Sequence, residues 1–393
     1  MIILKNINPI HIAFSIPFIL KTLETINIIP NIYIYYIPIM SFILSISFVK
    51  NLSKTTGLAP LLILFLSVFS YFIMIVNIVF SDTIDNNGIS SLQFHTYLLF
   101  SIPFYFICGN LTAKSIQSKN SLNGFDLIIV PLILLLILLN TNWSYFRLDF
   151  ESFKNSKAVY LFLGDTFAII SLYVIFSINN KKYRLISFFV LSFLLFLIFS
   201  RTSFYLFIFT CVLCLFIYSK LNKKIVYLIL VVILSAIIFY FSYIFKTSDL
   251  PYSINRMLFM FTNSDDGSLN SRIEIFNLSF ADLKNNFLLG NIGGQVSLFG
   301  YWNFYIHNIL SYLHQFGIFF FLMLLIITLY PTGYFYILSK KTSNDFYKLC
   351  FSISIFVVLI YLLSRSYVYP YIFLLPALYI GLKKNETHNS TNW

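Results

Sequence analysis

The chain has 393 residues, of which 59% are hydrophobic, 20% aromatic and only 10% charged. A soluble domain carries roughly 25% charged residues, because its surface must meet water. This composition therefore excludes a soluble enzyme, a secreted disulfide scaffold and a disordered hub. Runs such as 61–80 and 227–245 approach the roughly 20 apolar residues that cross about 30 Å of hydrocarbon. The chain is predicted to be a polytopic membrane protein.

Apolar stretches separated by polar clusters predict an all-α helical bundle of about 12 transmembrane helices. The first stretch follows Lys5 and has no small-residue cleavage site before the next span, so we expect a retained helix rather than a signal peptide. The predicted spans are residues 10–29, 32–49, 57–80, 93–112, 125–140, 158–178, 185–199, 203–219, 225–245, 308–330, 346–362 and 367–382.

The basic residues set the predicted orientation. With the N-terminus in the cytoplasm, sixteen of the 26 lysines and arginines fall in cytoplasmic connections and nine fall outside. Every cytoplasmic connection is then basic, as the positive-inside rule requires. In a soluble protein the net charge of +12 would indicate nucleic acid, but here its position explains it, and no nucleic acid is expected as a partner. Both termini are predicted to be cytoplasmic.

One connection, 246–307, is large enough to fold outside the membrane. It divides the chain into spans one to nine over 1–245, the large outer loop itself, and spans ten to twelve with a cytoplasmic tail over 308–393. Asp265 and Asp266 in this loop are expected to form a solvated turn rather than a divalent cation site, and no metal is expected elsewhere. A helix is predicted from Leu269 to Asn286. Its apolar face is expected to carry Ile273, Phe276, Phe280, Leu283 and Phe287.

The arginines occur on the unexpected side of the membrane. Five of the six arginines lie outside in this topology, whereas the lysines lie mostly inside. Guanidinium is permanently charged and matches phosphate oxygens with a planar fork, so arginines gathered there indicate an anionic ligand. Arg201 and Arg365 lie in tight turns at the membrane face, and Arg272 lies near the start of the loop helix. The alternatives are interfacial snorkelling for the first two and a surface salt bridge for Arg272.

Histidines mark the point where the large loop re-enters the membrane. His307, Ser311 and His314 share one helical face, beside Asn308. A histidine there can hold a proton near neutral pH or contact a phosphate as imidazolium, although an ordinary interfacial residue is the alternative. Asp165 lies inside the sixth span, where a carboxylate is costly. It is expected to be either a proton-relay group or the partner of an arginine.

The order and spacing of these motifs resemble those of the O-antigen polymerase and O-antigen ligase family of bacterial integral membrane glycosyltransferases. The resemblance covers about 185–330 by motif and the whole chain by topology. Its motifs are the turn Ser200-Arg201-Thr202-Ser203, the loop segments Ser271-Arg272-Ile273-Glu274 and 286–293, and the closing segment His307-Asn308-Ile309-Leu310 with Gly317.

The resemblance implies a GT-C-like helical bundle in the bacterial inner membrane, with the active site facing the periplasm. It implies transfer of a glycan from an undecaprenyl-diphosphate donor to a sugar hydroxyl, without metal or cofactor. His307, Arg272 and Arg201 would be catalytic, and Arg201 and Arg272 would also bind the diphosphate and glycan. Topology adds Arg365 to that binding set, and the helical face adds Asn308 and His314. The expected partners are the lipid-linked oligosaccharide and membrane lipid, with a chain-length regulator protein as a candidate.

Three alternatives remain open at this stage. A polymerase extends a lipid-linked repeat unit, whereas a ligase joins the polymer to lipid A–core, and we favour polymerase. A flippase for the lipid-linked oligosaccharide would explain Asp165 and the many spans, but a transporter should concentrate its charges in mid-span. A mannosyltransferase that uses polyprenyl-phosphate sugars would be expected to carry an acidic pair in the first outer loop, and residues 30–32 contain none. Whether His307 acts as base, acid or ligand is left open.

Overall fold

The computed structural model describes residues 8–52, 57–117, 124–148, 159–218, 267–342 and 344–390, and these are mostly helical. The predicted ninth span, 225–245, lies outside the described residues, as do Arg256, Asp265 and Asp266. The helices are α1 (Ile16–Thr25, after a π-helical turn at His11–Ser15), α2 (Tyr33–Leu52), α3 (Leu58–Val79), α4 (Ser91–Gln117), α5 (Asp126–Leu139), α6 (Val159–Ser177), α7 (Lys181–Leu197), α8 (Arg201–Tyr218), α9 (Gly267–Asn285), α10 (Gly294–Phe299), α11 (Leu310–Lys341), α12 (Asp345–Leu363) and α13 (Leu374–Ser390, after a 3₁₀ turn at Pro370–Phe373).

Each predicted span that falls within the described residues coincides with one of these helices. Six of them, α3, α4, α6, α8, α11 and α12, are long and apolar enough to cross a membrane, by length and composition. This supports an all-α polytopic membrane protein, and the total of about 12 spans stays a prediction. One small departure from all-α structure is an antiparallel hairpin of Thr141–Asn142 (β1) with Arg147–Leu148 (β2) in the connection from α5 to α6.

The centre of the bundle is built from α4, α6, α11, α12 and α13, whose inward side chains are almost all aromatic or branched aliphatic. The helices α4 and α13 approach closely through glycines. A Cβ on Gly109 would lie 2.7 Å from the backbone oxygen of Leu374, and a Cβ on Gly381 would lie 2.7 Å from the Cβ of Ala113. Small residues at such contacts are typical of helix packing in membranes, where close backbone approach supplies the van der Waals attraction.

A break in α11 receives the segment that follows α9. Gly317 has φ 77°, so the helix is interrupted about two turns after its start at Leu310. The amide of Ile318 donates to the backbone oxygen of Phe287 at 3.0 Å, and the amide of Asn291 donates to the oxygen of His314 at 2.8 Å. A Cβ on Gly317 would lie 2.3 Å from the backbone oxygen of Leu288, so the contact requires glycine there. The interrupted helix thus pairs with the loop backbone, which satisfies groups that the break leaves open.

The helix predicted over 269–286 is observed as α9, and the predicted apolar face is only partly covered by the described residues. Ile273 is 49% exposed and Phe280 is 39% exposed. The face that packs on the protein carries Ile275, Ser279 and Leu283, all buried. Periodicity identified a helix with several apolar residues. It could not identify the docked face, because part of the apolar surface of α9 remains uncovered by the described residues.

Candidate functional site

A buried ion pair joins α6 to the turn after α12. Arg365 donates from Nε to Oδ2 of Asp165 at 2.6 Å and from Nη2 to Oδ1 at 2.8 Å. The two side chains are 1% and 0% exposed. Ser203, near the start of α8, donates from Oγ to Oδ1 of Asp165 at 2.6 Å. This close approach depends on Gly164, since a Cβ there would lie 2.3 Å from the Cβ of Ser200.

This geometry chooses between the two roles left open for Asp165, because the carboxylate is the partner of an arginine. It also changes the interpretation of Arg365, for which the sequence suggested diphosphate binding. Beyond Asp165, Nη2 of Arg365 donates to Ser203 at 3.3 Å, and Nη1 donates to the hydroxyl and carbonyl of Ser364 at 2.6 and 3.4 Å. The guanidinium has five donors, and these acceptors occupy them. The arrangement favours a positioning role for Arg365 over direct contact with a phosphate.

His307 lies in the connection before α11, and its ring packs against Tyr305 with centroids 5.1 Å apart. Burial, together with the positive charges of Arg272 and Arg365, lowers the pKa of His307 to about 4. The same two arginines act on Tyr305, whose pKa is nevertheless raised because burial outweighs them. The structure therefore brings Arg272, Arg365 and His307 together. The imidazole is neutral near pH 7, which favours a proton acceptor or neutral ligand over an imidazolium that binds phosphate.

Arg201 is the first residue of α8 and is half-buried. It lies two residues before Ser203, whose hydroxyl donates to Asp165 of the buried ion pair. Its charge also acts on Tyr205, one turn further along α8. The geometry thus links Arg201 to the site through α8, whereas Arg272 and Arg365 act on His307 directly.

Asn308 and His314, both predicted to bind substrate, have partners within the protein. Oδ1 of Asn308 accepts the backbone N–H of Leu310, the first residue of α11, at 2.9 Å. His314 is 1% exposed, and its Nε2 lies 2.8 Å from Oδ2 of Asp282 in α9. Its Nδ1 lies 2.7 Å from Nε2 of Gln315. These contacts favour positioning roles for both residues, and substrate contact by either stays a prediction.

Sequence reasoning missed several polar residues around this site. The sequence did not single out Asp282, Gln295, Gln315 and Tyr367. Gln295 and Gln315 are both 0% exposed. An amide inside a strongly apolar stretch was the available signal, because a buried polar group requires a hydrogen-bond partner.

A second buried polar cluster, also missed, lies among the π-helical turn, α5 and α6. Nε2 of His11 contacts Oδ1 of Asp126, and Tyr173 donates to Oδ2 of Asp126 at 3.0 Å. Nδ1 of His11 lies 2.8 Å from Oγ of Ser15 within the π-helical turn. The predicted topology puts this cluster on the cytoplasmic side. Among the residues that the structure describes, no group of three or more His, Cys, Asp or Glu side chains is arranged to hold a metal ion.

A mostly helical chain with helices long and apolar enough to cross a membrane, in which the charges of two arginines act on a neutral histidine, defines a membrane protein with a site suited to an anionic ligand. Residues 186–325 match the family described as O-antigen ligase. This match confirms, over these residues, the resemblance to the O-antigen polymerase and ligase family seen in the motifs. Members of this family are membrane glycosyltransferase-like enzymes that act on lipid-linked oligosaccharide. The matched region contains Arg201, Arg272 and His307, whereas Asp165 and Arg365 lie outside it. No curated protein matches the chain.

Proposed function

We propose that the protein is a surface-polysaccharide polymerase of the bacterial inner membrane. It transfers a growing glycan from undecaprenyl diphosphate to a sugar hydroxyl of a lipid-linked repeat unit at the periplasmic face. The acceptor oxygen forms the new bond to the anomeric carbon, the bond from that carbon to the diphosphate breaks, and undecaprenyl diphosphate leaves with the bonding electrons. The acceptor proton passes to a base on the protein.

The observation that carries this proposal is the convergence of Arg272 and Arg365 on His307. Negative charge develops on the diphosphate as it leaves, and fixed positive charges near it stabilise the transition state. Arg272 and Arg201 are the arginines assigned to the diphosphate, since Arg365 is already paired with Asp165. His307 is assigned to the acceptor hydroxyl.

The charge of the donor also accounts for how His307 can act as a base. In the free protein its pKa is lowered to about 4, partly by Arg272, which makes it a weak base at neutral pH. A bound diphosphate would neutralise the field of Arg272 and return the pKa of His307 towards its ordinary value. A base is most effective when its pKa lies near the working pH. Donor binding would therefore activate the base, and an empty site would stay inactive.

Ligation to lipid A–core is the second candidate, because the matched family is described as O-antigen ligase. The chemistry at the donor is the same, and the two reactions differ only in the acceptor. A flippase has less support, since Asp165, the residue that motivated it, is paired with Arg365. Multi-pass topology and membrane location are common to all three.

A gel of surface polysaccharide separates these functions. Cells that lack the protein are complemented with wild type, with Arg272→Ala, or with Lys284→Ala, which removes an exposed cation from the same helix. A polymerase requires that the uncomplemented cells carry a single repeat unit on lipid A–core. Polymer stranded on the carrier would indicate a ligase instead, and loss of periplasmic carrier-linked material would indicate a flippase. Arg272→Ala, at normal expression, should resemble the uncomplemented cells, and Lys284→Ala should resemble wild type.

A further inference from the structure

Six polar side chains form a continuous hydrogen-bonded chain through the outer end of the bundle. Their polar atoms follow one another at 2.7 to 3.3 Å. Five of the six are buried, and Asp282 at one end has 17% side-chain exposure. In order, the members of this polar chain are Asp282, His314, Gln315, Gln295, Tyr367 and His95.

Backbone groups at two points fix the direction of every bond in the polar chain. The amide of Gly293 donates to Oε1 of Gln315 at 3.0 Å, so Nε2 of Gln315 must be the donor to His314 and to Gln295. His314 then accepts at Nδ1 and carries its proton at Nε2, facing Asp282. The proton position on His314 and the amide orientation of Gln315 both follow from the backbone N–H of Gly293, which can only donate.

The other end is fixed in the same way. Nδ1 of His95 lies 2.7 Å from the backbone oxygen of Ser91, an obligatory acceptor, so His95 carries its proton there. Its Nε2 must accept from the hydroxyl of Tyr367 at 2.9 Å. The hydroxyl oxygen of Tyr367 in turn accepts from Nε2 of Gln295 at 3.3 Å. The other end of that amide, Oε1 of Gln295, accepts from Nε2 of Gln315. The assignments from the two ends agree without a conflict.

Asp282 closes the chain as an acceptor only. Its oxygens face Nε2 of His314 at 2.8 Å, Nδ2 of Asn291 at 3.0 and 3.3 Å, and Nδ2 of Asn286 at 3.1 Å. All of these are donors, so both oxygens of Asp282 act as hydrogen-bond acceptors. An isosteric amide would turn its own N–H groups towards other donors.

The polar chain ties together the segments that carry Arg272, His307 and Arg365. Asp282 lies on the docked face of α9, and Arg272 lies on the same face ten residues earlier, since the two flank Ile275 and Ser279 at helical spacing. Tyr367 follows Arg365 by two residues, and its backbone N–H donates to Ser311 at 2.8 Å. His314 and Gln315 belong to the short first part of α11, immediately after His307 and Asn308.

We infer that this polar chain is the positioning device of the site: Asp282, His314, Gln315, Gln295, Tyr367 and His95 hold α9 against the bundle so that Arg272 faces His307. The inference rests on the proposed function for what the site does, but not for the position of α9. The six are positioning residues, because they act on the substrate through Arg272 and His307. A buried polar group that loses its partner is costly, so a break at one link affects the whole chain.

Two isosteric changes break the polar chain at separate links. Tyr367→Phe removes the hydroxyl, so Nε2 of Gln295 and Nε2 of His95 lose their shared partner. Asp282→Asn acts at the partly exposed end, where folding is less at risk. Tyr105→Phe is the matched control. Its hydroxyl is buried and has no hydrogen-bond partner among the described residues.

Distances between spin labels report the position of α9 without relying on activity. Leu278→Cys in α9 and Leu92→Cys in α4 place labels at positions 45% and 47% exposed, and the four native cysteines are buried. We expect one narrow distance distribution in the labelled parent and in Tyr105→Phe. We expect a broad or shifted distribution in Tyr367→Phe and in Asp282→Asn. Unchanged distributions in both broken-chain variants would overturn the inference.

Kinetics on purified protein with an undecaprenyl-diphosphate-linked repeat unit supply the second readout. A displaced Arg272 should lower kcat/KM for the donor at least tenfold in Tyr367→Phe and Asp282→Asn, with the folded fraction unchanged by size-exclusion chromatography. Wild-type kcat/KM in both variants overturns the inference even if Arg272→Ala is inactive. If instead Arg272→Ala retains full activity while the label distances still respond, the proposed function fails and the positioning of α9 stands.

Discussion

Asp165→Asn leaves the guanidinium of Arg365 buried opposite a neutral amide. The two side chains are 0% and 1% exposed and meet through two short hydrogen bonds. Water therefore cannot reach the guanidinium to solvate it when the carboxylate is lost. Removing one partner of a buried pair costs about 3–5 kcal/mol, because the remaining charge is uncompensated. At about 1.4 kcal/mol per tenfold, the folded-to-unfolded ratio falls by roughly two to four orders of magnitude. Asp165→Leu combined with Arg365→Met removes both charges and should cost less than either single change.

Unfolding in detergent micelles, followed by the fluorescence of Trp302, measures this effect. Trp302 is buried beside His95, with ring centroids 5.1 Å apart, so it reports on the same end of the bundle. Asp345→Asn is the control, since its pair with Arg184 has side chains 28% and 21% exposed and should contribute about 1 kcal/mol or less. The reasoning is refuted if Asp165→Asn costs no more than Asp345→Asn, or if the double variant is as unstable as the sum of its single changes.

Three further outcomes are expected. Diethyl pyrocarbonate attacks neutral imidazole, so the rate at which it modifies His307 should stay maximal from pH 8 to about pH 5 and halve near pH 4, following the lowered pKa. A rate that halves near the ordinary pKa of about 6.5 would contradict the burial argument. Gly317→Ala should lower the free energy of unfolding by about 1–3 kcal/mol, while Gly333→Ala, with nothing within 4 Å, is neutral or stabilising; equal effects refute the close contact. Asp126→Asn should lower the thermal midpoint by breaking the buried pair with His11, and an unchanged midpoint speaks against it.

The helices could be predicted from the sequence because an apolar run of roughly 20 residues is long enough to cross the hydrocarbon core as a helix. The stretches now seen as α3, α4, α6 and α12 were located to within a few residues. The π-helical turn at His11–Ser15 and the break at Gly317 were not foreseen. Both keep the apolar composition of the run, so hydropathy carries no sign of them.

The roles of the candidate site residues stay predictions, and their grouping could be predicted only in part. The motifs selected Arg272 and His307, which the structure brings together. The partner of Arg365 could not be identified from the sequence, since Asp165 lies 200 residues earlier and meets it only through tertiary packing. The hydrogen-bond partner of His314 could not be identified for a similar reason, because helical spacing placed His314 beside His307 but gave no information about Asp282 in α9.

Chain growth in a purified system tests the central claim most directly. The protein is placed in liposomes with an undecaprenyl-diphosphate-linked repeat unit and no other acceptor, and lipid-linked products and free undecaprenyl diphosphate are measured together. We expect a ladder of longer lipid-linked glycans, with one undecaprenyl diphosphate released per added unit. The ladder should be lost in Arg272→Ala and retained in Lys284→Ala. An intact protein that builds no ladder, yet transfers the glycan once lipid A–core is supplied, would contradict polymerisation and establish ligation instead.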